Sequence, residues 1–233
     1  MAVMESLAEY VDLVGVRNRA EITSAAAAIA RTAAAGGLVR PTGAGHSLAA
    51  VLETFFRAGG LAFVRPIWHP RVLPFNGARA ATSAEREVGL GAAVASEAGI
   101  SADDTVIVFS NSGVNPFPVE VASAASEAGA TVVAVTSRSA NEAAPKRAAL
   151  RLVDAADIVI DTAVPPGDAT WPPDAPVTAP VSSLATTTIW TLILREVHRL
   201  APDAPRWRSA NVPGNDEFNR ELVERFAARI PEL

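Results

Sequence analysis

TVIVFSNSG, residues 105–113, decides the fold. Thr105 to Phe109 is a short, uninterrupted apolar run, as in a strand buried on both faces. Ser110 to Gly113 is a turn of small polar residues. Asn115 stands where a helix cap belongs, and Pro116 suits the first helical position, where a missing N–H costs nothing. The pattern predicts a helix to Ala128, a stop at Gly129 and a strand over Thr131 to Val135. Upstream the plan rhymes: strand Leu38 to Thr42, turn GAGHS (Gly43 to Ser47), helix Ser47 to Ala58, stop at Gly59-Gly60, strand Leu61 to Val64. Repeated strand, turn and helix imply a parallel sheet covered by helices on both faces. Ligands bind such sheets at the carboxyl ends of the strands, where both serine turns fall.

The rest fits around this core. Glu5 to Val14 and Glu21 to Ala35 read as two N-terminal helices suited to packing a partner subunit. A Pro- and Arg-rich stretch fills Arg65 to Arg79, and a helix spans about Ala84 to Ala98. Asp103-Asp104 reads as a solvated loop, and Asp157 to Asp161 as a strand. The proline-dense Val164 to Pro180 reads as a loop, a lid or a contact surface. Ser182 to Leu200 is a long helix, and a turn at Pro213-Gly214-Asn215 leads into a short amphipathic one. No second core is evident, so one domain is expected: helices in 1–36, an αβα core over about 37–200, and a tail over 201–233.

Composition narrows the function. With 49% hydrophobic residues in 233, the bulk is not disordered. A net charge of −5 argues against a broad nucleic-acid footprint. The absence of cysteine excludes disulfides, thiolate metal sites and a cysteine nucleophile, and three histidines make no multi-His cage. No metal or cofactor is expected. The acidic start (Glu5, Glu9, Asp12) reads as no signal peptide. The apolar run around Ile189 to Leu194 is far shorter than the ~20 residues of a membrane span. A cytoplasmic protein is expected.

GAGHS and SNSG carry the chemistry. Gly43 and Gly45 let the backbone bend and expose its N–H groups, while His46 and Ser47 open a helix whose N-terminus attracts anions. Ser110, Asn111 and Ser112 add hydroxyl and amide donors at the equivalent turn. Together they read as a phosphate cradle without a cation. The dinucleotide fingerprint fails because Leu48 stands where a third glycine is needed, and no Gly-Lys-Ser/Thr occurs for a P-loop.

Glu53 lies six residues after Ser47 on the same expected helix, ~9 Å along its axis. It also shares a face with His46. A carboxylate so placed can move a proton between adjacent carbons. His69 on the variable loop is a further candidate. Glu120 reads as a first-turn glutamate favouring its helix dipole, and Ser182 and Ser183 as helix caps. Asp168, Asn211, Asn215 and Asp216 combine site-like chemistry with turn-forming character.

These motifs, with GAGHSLAAVLETFFRAGGLA, VFSNSGVNPFPVEVA and SANVPGNDEFNRELVERF, resemble the SIS (sugar isomerase) domain superfamily over roughly residues 38 to 200, and one bacterial branch of it in particular. The resemblance implies a three-layer αβα sandwich with a five-stranded parallel sheet, assembled as a homodimer or homotetramer. It implies a bound sugar phosphate, its phosphate held by Ser47, Ser110, Asn111 and Ser112. Asn115 stands where phosphoheptose isomerases have a further hydroxyl. It gives His198, on the last long helix, the part of a second acid/base beside Glu53 and His46. The expectation is a metal-free aldose–ketose isomerase of a phosphorylated, optionally amino, sugar, with no nucleic-acid or membrane partner. The rivals are an etherase acting on N-acetylmuramic acid 6-phosphate, with Glu120 as its second acid, and a non-catalytic sensor of sugar phosphates.

Overall fold

The computed structural model describes residues 6–233. Glu5, the expected start of the first helix, lies outside them. Helix α1 (Leu7–Arg17) starts in a capping box: Glu9 N donates to Ser6 Oγ at 3.1 Å and Ser6 N to Glu9 Oε2 at 3.2 Å. Helix α2 (Arg19–Ala35) ends at Gly36, whose φ of 76° closes the helix in the left-handed region. The buried faces of both, Tyr10, Val14, Ile22 and Ile29 among them, join the hydrophobic core.

Four strands follow, β1 (Val39–Gly43), β2 (Thr105–Phe109), β3 (Thr131–Thr136) and β4 (Ile158–Asp161), all parallel and in that spatial order. The sheet has four strands rather than the expected five: in place of a strand over Leu61 to Val64, an interrupted ladder at 63–67 runs along the outer edge of β1. Val39 N donates to Phe63 O, Arg65 N to Val39 O and Ile67 N to Pro41 O, each at 2.9 Å. The missing rung is Pro41, which has no N–H to give Arg65 O. Two isolated bridges remain, at Val64 and Ile67.

Two helical layers cover the sheet. On one side lie α2, α3 (Leu48–Thr54) and α8 (Ser182–Leu200), with α1 packed on α8. On the other lie α4 (Ala78–Glu85), α5 (Leu90–Ala98) and α6 (Pro116–Glu127). A short α7 (Arg138–Ala143) follows β3, and α9 (Asn215–Phe226) closes the chain.

Three further expectations are corrected. Helix α3 stops at Thr54 rather than Ala58, because Phe55 turns extended and Phe56 adopts φ 44°, its ring set edge-on against buried Trp207 at 4.8 Å. The helix expected over Ala84 to Ala98 is two, broken at Gly89 with φ 93°. The carboxylate of Glu120 caps the second piece, accepting from the N–H groups of Gly89, Gly91 and Ala92 at 2.8, 3.0 and 3.3 Å. Asp104 is not solvated: it is 2% exposed and accepts from Leu38 N at 2.7 Å, Ser101 N at 3.1 Å and Arg40 Nε at 3.1 Å. Arg40 gives its other donors to Ala98 O and Gly99 O. Burial lowers its pKa against the opposing pull of Asp104.

Candidate functional site

From β1 the chain moves outward to the edge segment at 63–67, then returns past β1 to form β2. The direction of winding reverses between β1 and β2, so a crevice opens there at the carboxyl ends of the strands. Gly43 and Phe109 are partners in the last rung of this pair, so GAGHS and SNSG leave the sheet side by side.

Local geometry explains the residues in each turn. A Cβ on Gly43 would lie 3.0 Å from Ser47 Cβ and 3.1 Å from Phe109 O, so any side chain there would have to push the first turn or the end of β2 by a few tenths of an ångström. Gly45 has φ 60°, and Ser47 N donates to Ala44 O at 3.2 Å in a single 3-10 turn before α3. In the second turn Gly113 has φ 59° and donates its N–H to Ser110 Oγ at 3.2 Å, leaving the Ser110 hydroxyl proton free to be given. The end of β3 and the start of α7 lock this turn: Ser137 N and Thr136 Oγ1 donate to Asn111 O, and Asn141 Nδ2 to Gly113 O. Thr162 Oγ1, just past β4, donates to Asn111 Oδ1 at 3.2 Å. The Asn111 amide nitrogen remains available as a donor.

Between the turns is a cavity of about 440 Å³, within the ~300–1,000 Å³ range of small-molecule sites. His46, Ser47, Ser110, Asn111, Ser112 and Asn115 all line it. Helix α6 begins at Pro116, directly after Asn115, so the positive end of its dipole faces this space. Pro166, Gly167 and Asp168 of the proline-dense loop, with Ser182, Ser183 and Thr186 of α8, form the opposite wall. Asp168, not the serines, caps α8: Val181 N and Ser182 N donate to its Oδ1 at 2.9 and 3.0 Å, and the Ser182 hydroxyl donates to its Oδ2.

Other expected residues sit elsewhere. Gly45 shapes the first turn without lining the cavity. Glu53 does not line it either; its carboxylate takes a hydrogen bond from Arg57, one turn further on. His198 lies in the last turn of α8, ~22 Å along the axis from Ser183. His69 Nδ1 accepts from Arg71 N at 3.1 Å in a local turn. Asn211 N donates to Ser209 Oγ and Asn215 Nδ2 to Ser209 O, both turn-forming contacts.

One carboxylate on the cavity wall has no counterpart among the expected site residues. Glu85, the last residue of α4, accepts from Asn115 Nδ2 at 2.8 Å, and Asn115 Oδ1 accepts from Arg147 Nη1 at 3.2 Å. Nothing in TSAEREV distinguishes Glu85 from Glu87, which pairs on the surface with Arg71. Thr162 was also missed, although its place just beyond a parallel strand is a usable signal.

A family profile described as the SIS domain matches residues 4–137. UPF0309 proteins of Brucella anthropi and Brucella canis are 40% and 38% identical over 228 residues, covering 95% of this chain and 94% of each relative. The chain is a SIS domain protein of the UPF0309 family. The SIS fold is also seen in the solved phosphoheptose isomerase of Neisseria gonorrhoeae, which superposes with a TM-score of 0.52 at 16% identity, over 81% of this chain and 93% of that one. In the SIS domain described above, no helix among the described residues is long and apolar enough to cross a membrane. Nor do the described residues group three or more His, Cys, Asp or Glu in a metal-holding cluster.

Proposed function

We propose that this SIS domain protein binds a phosphorylated sugar in the crevice between β1 and β2 and interconverts its aldose and ketose forms. One observation carries the reading: the two serine turns, far apart in sequence, line a single cavity at the point where the winding reverses. The hydroxyls of Ser47, Ser110 and Ser112, the Asn111 amide and the α6 dipole would hold the phosphate. They would offset its charge with dipoles rather than a cation, as no Lys or Arg among the described residues lines the cavity. His46, exposed at the cavity rim, would carry protons to and from the sugar oxygens during ring opening and isomerisation. Glu53 and His198 enter this reading only through a second copy of the chain, in a homodimer or homotetramer that presents them to a neighbour's cavity. Glu120, the second acid named for the etherase alternative, is engaged in capping α5.

A thermal-shift screen with hexose, heptose, amino-sugar and N-acetylmuramic acid phosphates tests the proposal. A ligand at a hundred times its Kd stabilises the fold by about 2.7 kcal/mol, which is roughly 5–10 °C for a chain of this size. Any sugar phosphate that shifts the melting point should then be converted to its ketose or aldose partner. Binding without conversion would favour the sensor reading. No shift with any sugar phosphate would sink the proposal.

A further inference from the structure

We infer that Glu85 is the catalytic carboxylate of this cavity and that Asn115 and Arg147 are its positioning residues. The inference deepens the isomerase reading and rests on it. Glu85 Oε1 accepts from Asn115 Nδ2 at 2.8 Å, while Asn115 Oδ1 accepts from Arg147 Nη1 at 3.2 Å. The guanidinium has only donors, so it fixes the amide oxygen toward itself and the amide N–H₂ toward Glu85. The carboxylate is thereby held through one oxygen, and Oε2 is left to act on a substrate.

The other carboxylate on the wall is already engaged. Asp168 uses both oxygens on the first turn of α8. Glu120 is likewise committed to α5, and Glu53 lies outside the cavity. Position agrees as well. Asn115 stands three residues after Ser112, so one short segment supplies both a phosphate contact and the arm that aims the base. A sugar anchored at that turn extends along the wall on which Glu85 sits.

The chemistry balances with these groups alone. Glu85 Oε2 takes the C2 proton of the open-chain aldose. The C–H electron pair becomes the C1–C2 double bond, and the carbonyl pair moves to O1, which receives a proton from His46. The enediol then gives its O2 proton back to His46 as the C2 carbonyl forms, and Glu85 returns the first proton to C1.

The test uses the full chain and the sugar phosphates that bind it. Binding is read by calorimetry, turnover by the rate of conversion, and proton abstraction by C2 deuterium uptake in heavy water. Glu85→Gln should bind within about threefold of the parent and lose 10²–10⁴-fold in both rates. Glu85→Asp, which keeps the acid, should recover part of the loss. The titratable groups facing the cavity are His46, Glu85 and Asp168, with Arg147 behind Asn115. Asn115→Ala removes the hydrogen bond that aims the carboxylate. It should lower kcat by up to about 10²-fold with KM nearly unchanged. Arg147→Met should do the same through Asn115, and Arg147→Lys should restore kcat in part. A parent that turns over while Glu85→Gln keeps its rate overturns this inference alone. A parent that neither binds nor converts any sugar phosphate overturns it together with the isomerase reading.

Discussion

Gly43 and Phe109 face each other across the last rung between β1 and β2. Both strands end there, so the hydroxyls of Ser47 and Ser110 leave the sheet from one level and line one space. The close fit of the Gly43 backbone against Phe109 O ties the two turns together. A side chain at position 43 would press on both Ser47 and Phe109 O.

If the paired turns hold a phosphate, a combined Ser110→Ala, Ser112→Ala variant should show no thermal shift with any sugar phosphate that shifts the parent. Its melting point without ligand should stay within a few degrees. A retained shift would place the phosphate elsewhere.

Gly113 tests the shape of the second turn. It has φ 59°, and a Cβ there would lie 2.4 Å from Asn141 Nδ2. Gly113→Ala should cost about 2–4 kcal/mol in urea unfolding, from the strained backbone and the crowding together, and should weaken sugar-phosphate binding. Gly99 has φ 63° with open space around it. Gly99→Ala should therefore cost only about 1 kcal/mol. Equal losses at the two positions would contradict the packing described for the turn.

The buried pair of Arg40 and Asp104 ties β1 to the start of β2, with side chains 5% and 1% exposed. Asp104→Ala leaves the guanidinium buried without its counter-charge and frees two backbone N–H groups. A loss of about 3–5 kcal/mol is expected. Asp104→Asn keeps acceptor capacity and should lose less. Equilibrium unfolding in urea decides the order.

Tyr10 is the only tyrosine. Its hydroxyl donates to Thr162 O at 2.8 Å, behind the cavity wall. Burial first, then the charges of Asp168 and Asp161, raise its pKa. In the unfolded chain a phenol ionises near pH ~10. The folded state holds its proton to higher pH, so this contribution to stability is whole below pH ~10 and is lost as pH climbs toward the folded value. Urea midpoints should fall between about pH 9 and 11 in the parent and fall less in Tyr10→Phe. Tyrosinate absorbance should appear together with unfolding. Free titration of Tyr10 near pH ~10 in the native protein would refute its placement.

What was legible came from short-range patterns. The apolar run Thr105–Phe109, the glycine-bounded turns and the cap position at Asn115 each encode local geometry, and strand and helix follow in order. The errors arose where a distant partner intervened. Asp104 looked like a loop acid because Arg40, which pairs with it, is remote in sequence. The helix expected across Gly89 breaks there and is capped by Glu120 from α6. Pro41 interrupts the edge ladder through an N–H it lacks, a consequence visible only once Arg65 lies beside it.

From the sequence alone came the alternation of strand and helix, the parallel sheet and the two serine-bearing turns, because backbone preference and hydrophobic period act over a few residues. Tertiary structure alone decided that those turns share one cavity, that Glu85 rather than Glu53 stands on its wall, and that His198 ends far from it. Proximity across a sheet depends on strand order and register, and no local stretch of chain contains either.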